Sequence, residues 1–235
     1  MLTEEMKNTI LQNNQTITDL LRENEKIFLD AGYQAPGNHY GLSEEDKVHL
    51  PNGYIRVNEH FISDYHLNDI VHDYALRKNI AYSIQFSDLH NFMLNRLFIW
   101  GSVRTMLIKG AVVNLISVFE ALVFECASNI CCNTHECTKL QTCTNHFNNK
   151  QRTQSYEALL KMKELGIITF TDVEIERIHE IIGFRNRIHI KNATENEFIS
   201  SDFSLSLYNE LIVYLKRLTE MIYQNGVPMY NQCTE

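Results

Sequence analysis

Chain breakers are scarce. Three prolines and nine glycines punctuate 235 residues, too few for a fold of many short strands and turns, so long helices are the expectation. Positive charge is lacking too. A formal net charge of −8 at pH 7 excludes a broad basic face that coats itself with nucleic acid, but leaves room for one local phosphate pocket. No basic, apolar leader opens the chain, because Met1-Leu2-Thr3-Glu4-Glu5 is acidic and polar. The longest apolar run, Ala111 to Phe124, is broken by Asn114, Ser117 and Glu120, which fits a buried helix and not a membrane span. There is no glycine-rich phosphate loop and no Ser-His-Asp order. The expectation is a cytoplasmic protein away from membranes, with its six cysteines reduced, either free or metal-bound.

What is present favours helices throughout. With 44% hydrophobic residues, the chain has ample material for a core. Residues 3 to about 30 read as an amphipathic helix with Ile10, Ile17, Leu20, Leu21 and Phe28 on its apolar side and Gly32 as its stop. Pro36, Gly37, Gly41, Pro51 and Gly53 make the only dense cluster of breakers, a loop with room for a short strand at Tyr54-Ile55-Arg56-Val57. This divides the chain into an N-terminal helix-and-loop extension, residues 1–58, and a helical bundle domain, residues 59–235. For the extension, a dimer arm or a docking site for a neighbour is the expectation. Within the domain the pattern predicts a helix over 66–82 and a break near Ser87-Asp88. A long helix then passes through Trp100 and Met106 to about Ala127. Shorter helices are expected over 153–164 and 171–189, and a last one over 202–224. Gly166 is the expected C-terminal cap of one, and Thr171-Asp172 the N-terminal cap of the next. The fold class is all-α, an antiparallel helical bundle with an N-terminal helical extension.

One helix carries an anomaly. At about 100° per residue, Ile175, Ile178, Ile181, Ile182 and Ile188 share a stripe, and Arg185 and His189 fall in its middle. Arg187 points the other way, and Arg177 and His179 lie at the two margins. A guanidinium and an imidazole on an apolar stripe are costly unless something pairs with them. Either a cleft uses them, or Arg185 pairs with Glu174 or caps carbonyls and His189 is a residue at a helix end.

The second constellation is a cysteine and histidine cluster between Cys126 and His146. Cys132, Cys137, Cys143 and His146 make a four-ligand set for a structural zinc, with His135 as a substitute. No C-x-x-C pair occurs, and the alternative is a group of small thiols without metal. The histidines at 39, 49, 60, 66 and 72 are scattered and suggest no metal site.

Three segments together resemble the HEPN superfamily of all-helical domains over residues 87–224. They are the apolar helix Gly110 to Leu122, the two-helix unit Tyr156 to Ile168, and the ending Phe184-Arg185-Asn186-Arg187-Ile188-His189. The resemblance implies a HEPN-like bundle that acts as a homodimer. It also implies metal-independent endoribonuclease activity with no catalytic cofactor, and a role as toxin or phage-defence effector beside an antitoxin or defence-system partner. It implies RNA as substrate and no DNA. Arg185 and His189 match the family's catalytic pair, and Asn186 the residue that binds phosphate or orients the histidine. Fewer residues separate Arg185 from His189 than in the family pattern, which keeps both on one helical face. Chemically, His189 would be base or acid in 2′-OH attack, and Arg185 would stabilise charge on the phosphorane. The alternatives are a non-catalytic RNA- or protein-binding member of the fold and a zinc-stabilised interaction module.

Overall fold

The apolar run from Ala111 to Phe124 becomes the axis of the domain. In the computed structural model, which describes residues 2–32, 45, 47, 49, 55–130, 147–186 and 203–225, every regular element is a helix. In chain order these are α1 (Glu4–Asp30), α2 (Asn58–Asp64), α3 (Leu67–Ile70), α4 (Tyr74–Arg96), α5 (Gly101–Ile130), α6 (Asn149–Thr153), α7 (Ser155–Glu164), α8 (Asp172–Asn186) and α9 (Leu205–Asn225). The chain divides into two units, Met1–Pro51 and Asn52–Glu235. The first contains α1, capped by the Thr3 hydroxyl, which accepts from Met6 N at 3.2 Å. The second contains α2 to α9.

In the second unit α5 packs against α4, α6, α7, α8 and α9. Its residues Ala111, Val112, Leu115, Ile116, Phe119, Leu122 and Val123 are buried, a spacing that at about 100° per residue gathers them on a face roughly 140° wide. A stripe wider than about 100° is the side a helix turns toward a core. By length and composition alone α5 could cross a membrane, yet 56% of its most apolar window is buried inside the domain. The isoleucines of α8 (Ile175, Ile178, Ile181, Ile182) and the α9 stripe Leu211, Leu215, Leu218 and Ile222 complete the core.

Two pairs of consecutive helices run antiparallel, α4 with α5 and α8 with α9. Between α4 and α5, His72 N donates to Glu125 Oε1, Asn114 Nδ2 to Ser83 O and to Ser87 Oγ, and the backbone of Gly110 approaches His90. Partners therefore ascend on one helix as they descend on the other. The same order joins α8 to α9, where Glu174 meets Arg217 and Arg177 meets Glu210.

Local chemistry sets the helix ends. Leu165 closes α7, and Gly166 follows at φ +73. Ile167 N donates to Met162 O and Gly166 N to Lys163 O, both at 2.9 Å, the paired bonds of a Schellman stop. Thr171 and Glu174 form a reciprocal box at the start of α8: Glu174 N donates to Thr171 Oγ1 at 3.2 Å, and Thr171 N to Glu174 Oε2 at 2.8 Å.

Four expectations are corrected. The helix predicted over 66–82 is α3 followed, after a short interruption, by α4, which Asp73 caps by accepting from Leu76 N at 2.6 Å. No break occurs at Ser87-Asp88. Ser87 is buried inside α4, accepting from Asn114 Nδ2 of α5 at 2.9 Å, and Asp88 is held by Arg56 from the segment before α2; both polar groups are satisfied from outside α4, so neither ends it. The helix also does not run through Trp100. Residues 97–100 are a connection, with Phe98 92% and Trp100 76% exposed, and Gly101 at φ +62 starts α5, a backbone geometry that glycine adopts at no steric cost. Ile55 to Val57 form no strand.

Candidate functional site

The anomaly on α8 has a partner. Its isoleucines at 175, 178, 181 and 182 are buried, so the stripe is core, and Arg185 emerges at the far end with its side chain 52% exposed. From there the guanidinium donates through Nη1 to Glu120 Oε2 on α5. Glu120 is 15% exposed and also lies 3.4 Å from the Ser155 hydroxyl, which donates to Oε1. A mostly buried carboxylate in an apolar helix needs a cation or donors nearby, and Arg185 supplies both. Among the described residues this is the only hydrogen bond of Arg185. Among the described residues Nε and Nη2 have no acceptor, and donors in that fork geometry suit a phosphate.

The two margins of α8 are occupied differently. On one, Arg177 holds Glu210 of α9 with a two-pronged grip, Nε to Oε1 at 2.9 Å and Nη2 to Oε2 at 3.0 Å, and adds Glu180 at 3.0 Å. Hydrogen bonding to Glu210 raises its already high pKa, so it is a fixed cation welded to the bundle. On the other, the His179 ring meets the Tyr156 ring at 4.6 Å between centroids. Tyr156 in turn donates from its hydroxyl to Glu176, and that bond raises the phenol's pKa.

Glu174 pairs with Arg217 and not with Arg185. The Arg217 bond, helped by the Thr171 backbone, draws the Glu174 carboxyl down to about 2.

A second polar cluster was not foreseen. Arg56 grips Asp88 with two prongs, Nε to Oδ2 at 3.1 Å and Nη2 to Oδ1, beneath a Gln85 amide that donates to the Arg56 carbonyl at 2.7 Å. Tyr65 and Tyr208 lie buried beside it. Burial pushes the Tyr208 phenol up to about 12 and raises Tyr65 as well. These groups stay neutral near pH 7 and tie α2, α4 and α9 together. The visible signal in the sequence was Ser87-Asp88 itself, a polar pair on a helical pattern.

The remaining predicted residues fall outside the described set. These are the Asn186 side chain, Arg187, Ile188 and His189, and the zinc candidates Cys132, His135, Cys137, Cys143 and His146. Among the described residues no group of three or more His, Cys, Asp or Glu side chains is placed to hold a metal. Cys126 is a free, buried thiol, and burial pushes its pKa up to about 12. The residue that sequence inspection passed over is Glu120. It was noted only as an interruption of an apolar run, although that interruption was the signal.

Compared with protein-family models, with curated proteins and with solved structures, the chain matches none of them.

Proposed function

We propose that the domain is a metal-independent endoribonuclease of HEPN type. It would cut RNA by 2′-OH attack within a homodimer cleft and serve as a cytoplasmic toxin or phage-defence effector. The observation that carries this is the half-exposed Arg185 guanidinium at the end of α8, held through Nη1 by Glu120, its one partner among the described residues. A cation steadied on one edge and open on the other is suited to an anion whose charge grows during reaction. His189 would take the 2′-OH proton or supply one to the leaving 5′-oxygen. Asn186 would orient that histidine or bind the phosphate. The all-helical bundle and the Arg-Asn-Arg-Ile-His ending support the assignment together; neither would do so alone.

A second function has an observation in its favour. Because Glu120 already pairs with Arg185, the pair would serve equally in a non-catalytic bundle that binds RNA or a protein partner.

One assay separates the two. Full-length protein is incubated with an end-labelled RNA pool in excess chelator, and the ends of the fragments are identified. The nuclease is expected to leave 2′,3′-cyclic phosphates and 5′-hydroxyls. Arg185→Ala is expected to slow cleavage by about 100- to 1,000-fold, the usual cost of losing one transition-state charge stabiliser. His189→Ala is expected to abolish it. Absence of cleavage by the unaltered chain, or normal cleavage by both variants, rejects the nuclease. RNA retention without cutting supports the binding module.

A further inference from the structure

The first unit offers a surface with a self-complementary pattern. Helix α1 spans 27 residues and buries none of them, whereas helices in proteins owe most of their stability to packing of an apolar face. That face is well defined. Met6, Ile10, Asn13, Ile17, Leu20, Asn24 and Ile27 recur at alternating steps of four and three, the spacing of a coiled-coil seam sustained over three heptads. Ile10, Ile17 and Asn24 take one seam position, and Met6, Asn13, Leu20 and Ile27 the other. Ile17, Leu20 and Ile27 are each more than half exposed, and Ile10 is 40% exposed. No charged residue lies on the seam. Glu4, Glu5, Asp19, Arg22, Glu25 and Lys26 all fall on the opposite face. Leu11 and Leu29 are the apolar exceptions there.

The order of residues along this seam names its occupant. From Ile10 it runs Ile, Asn, Ile, Leu, Asn, Ile, with apolar and amide positions in the same order in both directions. A second α1 in parallel register sets each asparagine against its own copy, and an antiparallel one sets Asn13 against Asn24. In either case each side-chain amide faces another amide. A slip by one heptad would instead set asparagines against isoleucine or leucine and leave polar groups unpaired, the device by which buried asparagine selects register. An unrelated apolar groove would leave both amides unmatched.

We infer that α1 dimerises with the α1 of a second copy of this chain as a two-stranded coiled coil, with Asn13 and Asn24 setting its register. This does not depend on the nuclease proposal. The test is hydrogen–deuterium exchange on the full chain at low and high micromolar concentration, read peptide by peptide. Amides of residues 4–30 should gain protection as concentration rises, while those of α5 keep theirs at every concentration. Ile17→Asp should abolish the gain. Leu11→Asp, on the same helix but off the seam, should retain it. Arg185→Ala and His189→Ala should leave it unchanged, so loss of RNA cleavage and loss of this contact are separate results. The inference is overturned by protection that ignores concentration, by no protection, or by equal loss in Leu11→Asp and Ile17→Asp.

Discussion

Arg185 on α8 and Glu120 on α5, 65 positions apart, form one ion pair whose members differ in exposure: the cation half in solvent, the carboxylate mostly buried. The asymmetry sets the sign of a double-mutant cycle. Removing Arg185 leaves a mostly buried carboxylate whose remaining partner among the described residues is the Ser155 hydroxyl, so Arg185→Ala is expected to cost about 1 kcal/mol in urea unfolding. Adding Glu120→Gln removes the orphaned charge, and the double variant is expected to be more stable than Arg185→Ala alone. A double variant less stable than Arg185→Ala would show that the Glu120 charge is held by something other than Arg185.

Gly166 sits at φ +73 with nothing close to where a Cβ would stand. The penalty for a side chain there is conformational and not steric crowding. Gly166→Ala is expected to destabilise the fold by about 1 kcal/mol, measured as a lower urea midpoint at unchanged slope. A neutral result would mean that the α7 stop is held by the Met162 and Ile167 packing alone.

Glu174 adds an acid-sensitive element. Its carboxyl is drawn down to about 2 by Arg217 and the Thr171 backbone, whereas in the unfolded chain it titrates near its ordinary value. The folded state therefore binds this proton less readily than the unfolded state. The stabilisation is complete above about pH 4.5 and is lost as pH falls from there through about 2. Thermal melts across that window should show a shallower acid limb for Glu174→Gln than for the unaltered chain. Parallel limbs would assign the acid sensitivity to other carboxylates.

Cys126 is buried on α5 with its pKa raised to about 12 by burial, so almost no thiolate exists near pH 8 and no reagent reaches it. Mass mapping after brief alkylation of the native protein should find Cys126 unmodified, and full modification only after unfolding in denaturant. Rapid native labelling would place α5 elsewhere than in the core.

Much of this architecture was legible because its signals are local. Thr3, Gly166 and Thr171 act within a turn of their own position, and the isoleucines of α8 declare their face by spacing alone. The breaks were less legible. Ser87 and Asp88 look like a helix end until Asn114 and Arg56 are seen to satisfy them, and Gly101 breaks a pattern that apolar spacing would carry straight through Trp100. The site divides in the same way. Arg185 stood out as a charge on an apolar stripe, but its partner was 65 residues distant, and no periodicity connects two helices that far apart.

The sequence by itself determined that the chain is helical, which faces are apolar and where several helices stop, because propensity, periodicity and capping act over a few neighbouring residues. Only the tertiary structure decided which polar groups meet: Arg185 with Glu120, Arg56 with Asp88, Glu174 with Arg217. Those pairings form between segments distant in the chain that the packed bundle brings together, and the free energy of a buried charge depends on what lies across the interface, not on what precedes it in the chain.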